Sequence, residues 1–256
     1  MQPPPFQNRH FITVPFQDGP LFDLSDNPHP TQATGWGHQS QNPISLESNA
    51  THYGFVVKGN PLLTAATTAA GGQTVTLCPG MYFCVPGEMT IAGGKGVIIS
   101  RLDFQGVFSV GGPIEEQGRL RYIDGCSDSL LVHPSLKGNP CLNHLHFPTH
   151  IDQTRHTHPS IRVGIVARGR GRCVVPENDD GSGPDLSIPL VPGQVFLIPT
   201  DGQHSFFTDD QTMDVIAYHP DSDTGPDHDD HPMVNRTLVD GIPAAEIDEI
   251  RTQKIP

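Results

Sequence analysis

From Thr51 onward the chain breaks into short apolar or alternating runs, each closed off by Gly or Pro. Tyr53–Lys58, Gln73–Leu77, Met81–Val85 and Gly96–Arg101 come first; Arg119–Ile123, Cys141–Phe147, Ile161–Arg168, Gly171–Val175, Val195–Ile198 and Met213–His219 follow. Every run has strand length, and none repeats with the roughly 3.6-residue period of an amphipathic helix, so the pattern predicts an all-β protein. One short helix is predicted over Ala244–Lys254, where Ala244, Ile247 and Ile250 form an apolar stripe after Pro243. Residues 1–49 are rich in Pro, Gln, Asn and Gly, with small apolar patches such as Phe11-Ile-Thr-Val-Pro15. They read as an extended arm lying on the body and lending it an edge strand.

Two of these blocks recur. Tyr53-Gly-Phe-Val-Val-Lys-Gly59 matches Val163-Gly-Ile-Val-Ala-Arg-Gly169 at an offset of 110 residues. Leu77-Cys-Pro-Gly-Met-Tyr-Phe-Cys-Val-Pro86 matches Leu190-Val-Pro-Gly-Gln-Val-Phe-Leu-Ile-Pro199 at an offset of 113. The extra residues fit within the Gly-rich acidic loop Glu177–Gly183. Either match alone is weak. Together and in the same order, they indicate duplication of one β unit. The expected organisation is an arm at 1–49, a first half at 50–118, a second half at 119–220 and an acidic tail at 221–256.

Composition narrows the picture. Gly (27) and Pro (26) make up about a fifth of the 256 residues, which suits many strands joined by tight turns. Lys plus Arg number 15 against 28 Asp plus Glu, a formal charge of −13. So acidic a surface, with no basic stripe, argues against a nucleic-acid partner. No apolar stretch approaches the ~20 residues of a membrane helix, and no membrane partner is expected. The opening residues show no basic segment leading into an apolar core, so no signal peptide is expected. Five scattered cysteines without CxxC spacing suit reduced thiols and a cytoplasmic location.

Histidine carries the candidate chemistry. With 14 in the chain, an HxH pair is expected by chance about once, and two occur: His144/His146 and His156/His158. Position decides between them. His156 and His158 directly precede the apolar strand of the second repeat copy, and His204 lies just beyond its other block. Residues two apart on a strand share a face. His156 and His158 can therefore converge with His204 from a neighbouring strand, leaving coordination positions open. Arg162 and Phe206 fall on the same inward faces, Arg162 to hold an anionic substrate group or an aspartate, Phe206 to pack the wall. His144 and His146 are a weaker candidate pair. His219, His228 and His231 sit in or beside an Asp-rich stretch and read as a solvated acidic loop. Arg168, Arg170 and Arg172 likewise read as solvated. G-x-S-x-G, P-loop and dinucleotide-binding glycine patterns are missing from the sequence.

The stretch 156–204 resembles the cupin family. His156-Thr-His158 and Gly169 follow the family's first motif, and Gly193, Pro199 and His204 follow its second. Four positions depart from it. Arg162 replaces the Glu ligand, Asp201 a glycine, Thr208 an asparagine, and His150 the glycine ahead of the HxH pair. In the first half, Leu46, Ser48, His52 and Ile91 occupy the equivalent ligand places. The resemblance implies two cupin-type jelly-roll β-barrels in one chain, with a metal site only in the second half. By the same resemblance, one divalent transition metal would be held by His156, His158 and His204. Fe(II) is preferred, with Mn, Ni, Cu or Zn as alternatives. The expected function is a metal-dependent oxygenase or related oxidoreductase, of dioxygenase type, acting on a small anionic molecule bound by Arg162 and Phe206. A metal-dependent isomerase or lyase and a non-enzymatic binding module are the alternatives. A homodimer is expected by analogy.

Overall fold

A computed structural model describes residues 3–37, 42–66, 72–225 and 232–250. They form antiparallel sheets almost throughout. One pair of sheets draws mainly on the first half of the chain. Its six-stranded member runs in the order Ser109–Gly111, Tyr82–Pro86, Ala50–Lys58, Lys95–Leu102, Thr31–Trp36, Gly19–Leu24. The four-stranded member is Ile44–Leu46, Met89–Ala92, Leu62–Ala65, Gln73–Thr76. In the second pair, eight strands run in the order Phe6–Gln7, Ile12–Val14, Val195–Ile198, Arg162–Gly169, Met213–His219, Cys141–Phe147, Ser127–Val132, Leu120–Arg121. Facing them is a three-stranded sheet of Asp185–Leu190, Gly171–Pro176 and Ser205–Phe207. Val56, Phe83 and Ile98 fill the first pair and Val166, Cys173 and Phe196 the second; a third cluster containing Tyr53, Leu142, Val163 and Tyr218 joins the halves.

The repeated blocks make repeated contacts. Gly54 lies opposite Phe83 and Gly164 opposite Phe196 in the strand registers. A Cβ added at Gly54 would stand 2.0 Å from the Phe83 ring, and one at Gly164 would stand 2.3 Å from the Phe196 ring. In both halves the missing side chain is what lets an aromatic ring lie across the neighbouring strand. The turns match too. Gly80 and Gly193 adopt φ of 85° and 84° and donate N–H bonds of 2.8 Å to Val56 and Val166. Those left-handed positions favour glycine.

Other expectations are corrected. Residues 1–49 lend edge strands as expected, Phe6–Gln7 and Gly19–Leu24, but they are more than an arm lying on the body. Ile12–Val14 pairs with Val195–Ile198 of the second half, while Gly19–Leu24 and Thr31–Trp36 are integral to the first half's six-stranded sheet. Their low apolar content hid them, since edge and near-edge strands bury only alternate side chains. The predicted strand Arg119–Ile123 shrinks to Leu120–Arg121, because a tight turn at Ile123–Gly125 with Asp124 at φ 56° interrupts it. The helix expected at Ala244–Lys254 is instead two 3-10 turns, Ala244–Glu246 and Asp248–Ile250, beyond which 251–256 lie outside the described residues. Only Ala244 of the apolar stripe is buried, so no packing contact extends the turns into an α-helix. The one short α-helix described is Pro232–Arg236. No helix among the described residues is long and apolar enough to cross a membrane.

Gly164→Ala tests the glycine–ring contact. Overpacking against Phe196 should cost about 1–3 kcal/mol, read as a lowered denaturant midpoint with an unchanged slope.

Candidate metal centre

The three histidines named from sequence come together. Their candidate ligand nitrogens all lie within 4.8 Å of one another, and the ring centroids are 4.4 to 5.1 Å apart. Backbone pairing sets this up. His156 and His204 exchange N–H···O bonds of 3.0 and 3.1 Å, and the Asp201 N–H donates to the His158 carbonyl at 2.9 Å. Nδ1–H of His156 donates to Thr154 O at 2.8 Å, and Nδ1–H of His204 donates to Gly202 O at 2.9 Å. Carbonyl acceptors fix the proton on Nδ1, which leaves each Nε2 as a lone pair. His204 is fully buried, and its Nε2 has no hydrogen-bond partner. A buried acceptor without a partner costs free energy. Burial, with Arg162 and His156 nearby, pushes His158 down to about 3, and burial carries His204 well below its usual range. His158 and His204 are thus suited to remain neutral donors to an ion, and the Thr154 carbonyl turns the His156 Nε2 lone pair toward them. The donor set fits a divalent transition metal.

Two of the substituted motif positions keep the backbone that glycine would give. Asp201 has φ 58° and His150 φ 60°, in the left-handed region that Asp and His tolerate better than most residues. Thr208 accepts the Ile151 N–H at 3.0 Å and donates to the Pro148 carbonyl, tying the two ligand-bearing segments together.

Arg162 and Phe206 line the same cavity of about 50 Å³, together with Tyr122, Asp128, Gln153, Phe196 and His219. Arg162 stands opposite Ile198, and the adjoining Val163–Tyr218 pair puts His219 one register step away. Its Nη1 donates to the Ser160 hydroxyl at 2.6 Å and the Ile161 carbonyl at 2.8 Å, and lies 3.8 Å from Asp221. Its buried Nε has no partner. The phenyl ring of Phe206 lies edge-on to His204 at 5.5 Å, and Gln153 holds the Phe206 backbone.

His219 corrects the reading of 219–231 as a solvated loop. It closes the Met213–His219 strand, where alternation turns it into the cavity with Ala217. Desolvation keeps it well below its usual pKa. That alternation was the signal available in the sequence. His228 and His231 lie outside the described residues. His144 and His146 do not line the cavity. Leu145 and Phe147 of their strand face inward, so the histidines face the opposite side. There both bond Asp214 Oδ1, at 2.7 and 2.9 Å, while Arg168 bonds Oδ2 at 2.9 Å. Arg168 is therefore an anchored residue. His144 also borders an open cleft of about 520 Å³ on that outer side, with Tyr82 and Arg119.

The loop between the Phe6–Gln7 and Ile12–Val14 strands supplies a support the sequence did not reveal. Phe11 is fully buried, stacked on Phe196 at 5.3 Å and edge-on to Phe206 at 6.3 Å. His10 Nε2–H donates to Asn178 O at 3.0 Å, and its Nδ1 accepts the Gln203 N–H at 3.2 Å. This segment braces the loop that carries His204.

No family model matches the chain, and no curated protein matches it. Solved structures do. A cupin 2 conserved barrel domain protein from Leptotrichia buccalis aligns at TM-score 0.54 and 14% identity, over 83% of this chain and 90% of that one. The chain has a cupin fold. An iolb-like protein from Salmonella typhimurium shares this cupin fold at TM-score 0.61 and 12% identity, over 84% of this chain and 94% of that one. So does the R92A mutant of oxalate decarboxylase from Bacillus subtilis, at TM-score 0.53 and 8% identity, over 87% and 76%.

Two predictions follow from the supports. Phe11→Ala should cost about 3–5 kcal/mol and lower metal content in protein that still folds, measured by denaturation and elemental analysis. For Asp214, burial raises the pKa, but the hydrogen bonds from His144, His146 and Arg168 outweigh it, so the net shift is downward. Such a carboxylate contributes stability above its unfolded value of about 3.9, and that contribution is lost as pH falls through the folded value. Asp214→Asn should flatten the acid limb of a stability–pH curve below about pH 4.

Proposed function

We propose that the chain is a metal-dependent bicupin enzyme whose second half binds one divalent transition metal through His156, His158 and His204. The reading is carried by His204 Nε2, a buried lone pair that has no protein partner and lies within 4.8 Å of the other two imidazoles' candidate nitrogens. Fe(II) is the preferred ion, since three neutral imidazoles and open positions suit oxygen-dependent chemistry. When bound, the ion would polarise a substrate oxygen and, if redox-active, support oxidation.

The protein's own groups define the rest. Arg162 directs its unpartnered Nε at an anionic group of the substrate, its Nη1 being held by Ser160 and Ile161. Phe196, Phe206 and Ile198 supply apolar walls that exclude water from the reacting centre. The three histidines hold their Nδ1 protons or burial-enforced neutrality throughout, so proton transfer falls to other cavity residues. The reaction proposed is oxidation of a small organic acid; a decarboxylase is among the cupin-fold neighbours. A cytoplasmic, homodimeric protein completes the proposal.

The test is elemental analysis of protein purified without a His tag, followed by oxygen-uptake assays with small carboxylates. Wild type should carry one metal equivalent, and His158→Ala with His204→Ala should carry almost none. Equal metal in both would overturn the site. Turnover of substrate without oxygen uptake would place the activity with isomerases or lyases.

A further inference from the structure

The cavity holds more unmatched polarity than a metal and one carboxylate account for. Asp128, on the Ser127–Val132 strand, stands opposite Leu145 and lines the same space as Arg162 and His219. One carboxyl oxygen, Oδ2, accepts the Asn143 Nδ2–H at 2.8 Å, and Asn143 is itself held by Cys141 Sγ–H at 3.3 Å. The other oxygen, Oδ1, is shielded from solvent and has no partner. Buried polar atoms are ordinarily hydrogen-bonded. Here an acceptor (Asp128 Oδ1) and a donor (Arg162 Nε) remain unmatched in one cavity, and neither satisfies the other. Burial raises the Asp128 pKa despite the hydrogen bond from Asn143.

Building on the metal-site reading above, we infer that the cavity's ligand is a small hydroxy-carboxylate, with its carboxylate on Arg162 and its hydroxyl on Asp128. The chemistry selects that class. A hydroxyl both donates and accepts, so it can meet the carboxyl in either protonation state. A plain acid would leave Asp128 Oδ1 buried and unmatched, and sites built for a substrate hydroxyl discriminate strongly against analogues that lack it. A second anionic group would face a carboxylate, which disfavours dicarboxylates in that pose. Size sets the remaining limit: about 50 Å³ admits only a few heavy atoms, at roughly 10–15 Å³ for each water-sized occupant.

The experiment is calorimetric titration of metal-loaded protein with two- to four-carbon ω-hydroxy acids and with the parent acids lacking the hydroxyl. At least one hydroxy acid should bind about tenfold or more tightly than its parent. Asp128→Val should erase that preference while keeping metal content, with the parent acid bound at least as tightly as by wild type. Asp128→Asn, which keeps an acceptor oxygen, should retain part of it. Equal binding of every pair by wild type, or an unchanged preference in a folded, metal-loaded Asp128→Val protein, would overturn the inference and leave the metal site standing. Wild-type protein that holds no metal would instead remove the reading beneath it.

Discussion

The second half depends on one close approach: the Phe196 ring lying over Gly164 on the adjacent strand. Any side chain at 164 would lift that ring. Phe196 is also the plate on which Phe11 and Phe206 pack, at 5.3 and 5.8 Å. Phe206 in turn lies on the short Ser205–Phe207 strand directly after His204, whose own backbone bonds reach His156. A single absent Cβ is thereby linked, through three stacked aromatics, to the placement of the candidate ligands. Close-packed interiors transmit such displacements because they hold few voids to absorb them.

The first half repeats the glycine–ring contact without the ligands. Gly54 and Phe83 pack as Gly164 and Phe196 do, yet Ile91 and Leu46 occupy places equivalent to His204 and His156. His52, in the place of Arg162, is buried and engaged by Ser100 at 2.8 Å and the Glu47 carbonyl at 3.0 Å. Both ring nitrogens are spoken for. The contact therefore belongs to the fold, whereas the unmatched His204 Nε2 and Arg162 Nε belong to the second copy alone. Tyr53 and Tyr218, 5.2 Å apart at the junction, pack the halves together.

This division explains what the sequence disclosed. Strands with continuous apolar runs, such as Val195–Ile198 and Met213–His219, were legible because they are buried on both faces. The repeat was legible because glycine, proline and phenylalanine at fixed positions are backbone and packing requirements. The three histidines were legible through their register with that repeat. Gly19–Leu24 and Asp185–Leu190 were not, since each carries a proline that argues against a strand. The role of His10 and Phe11 was invisible for a different reason: their partners, Gln203 and Phe196, are more than 180 residues away. Asp128 was equally hidden, being one of many acidic residues, singled out only when the fold seals one of its oxygens from water.

Arg162 stands where the cupin motif that the chain resembles carries a carboxylate ligand. Exchanging an anionic donor for a guanidinium removes one negative charge from beside the ion and adds a positive one. On the proposed reading, three imidazoles would hold a divalent charge beside a cation with no carboxylate to offset it, in a largely apolar enclosure. An anionic ligand beside Arg162 would offset both charges at once. Buried charges are tolerated when paired. Asp221, 3.8 Å from Arg162 Nη1 and one-third exposed, is too distant and too solvated to provide that pairing alone. The position that departs from the cupin-like motif is therefore the one at which an anionic ligand would enter the electrostatic balance of the proposed site.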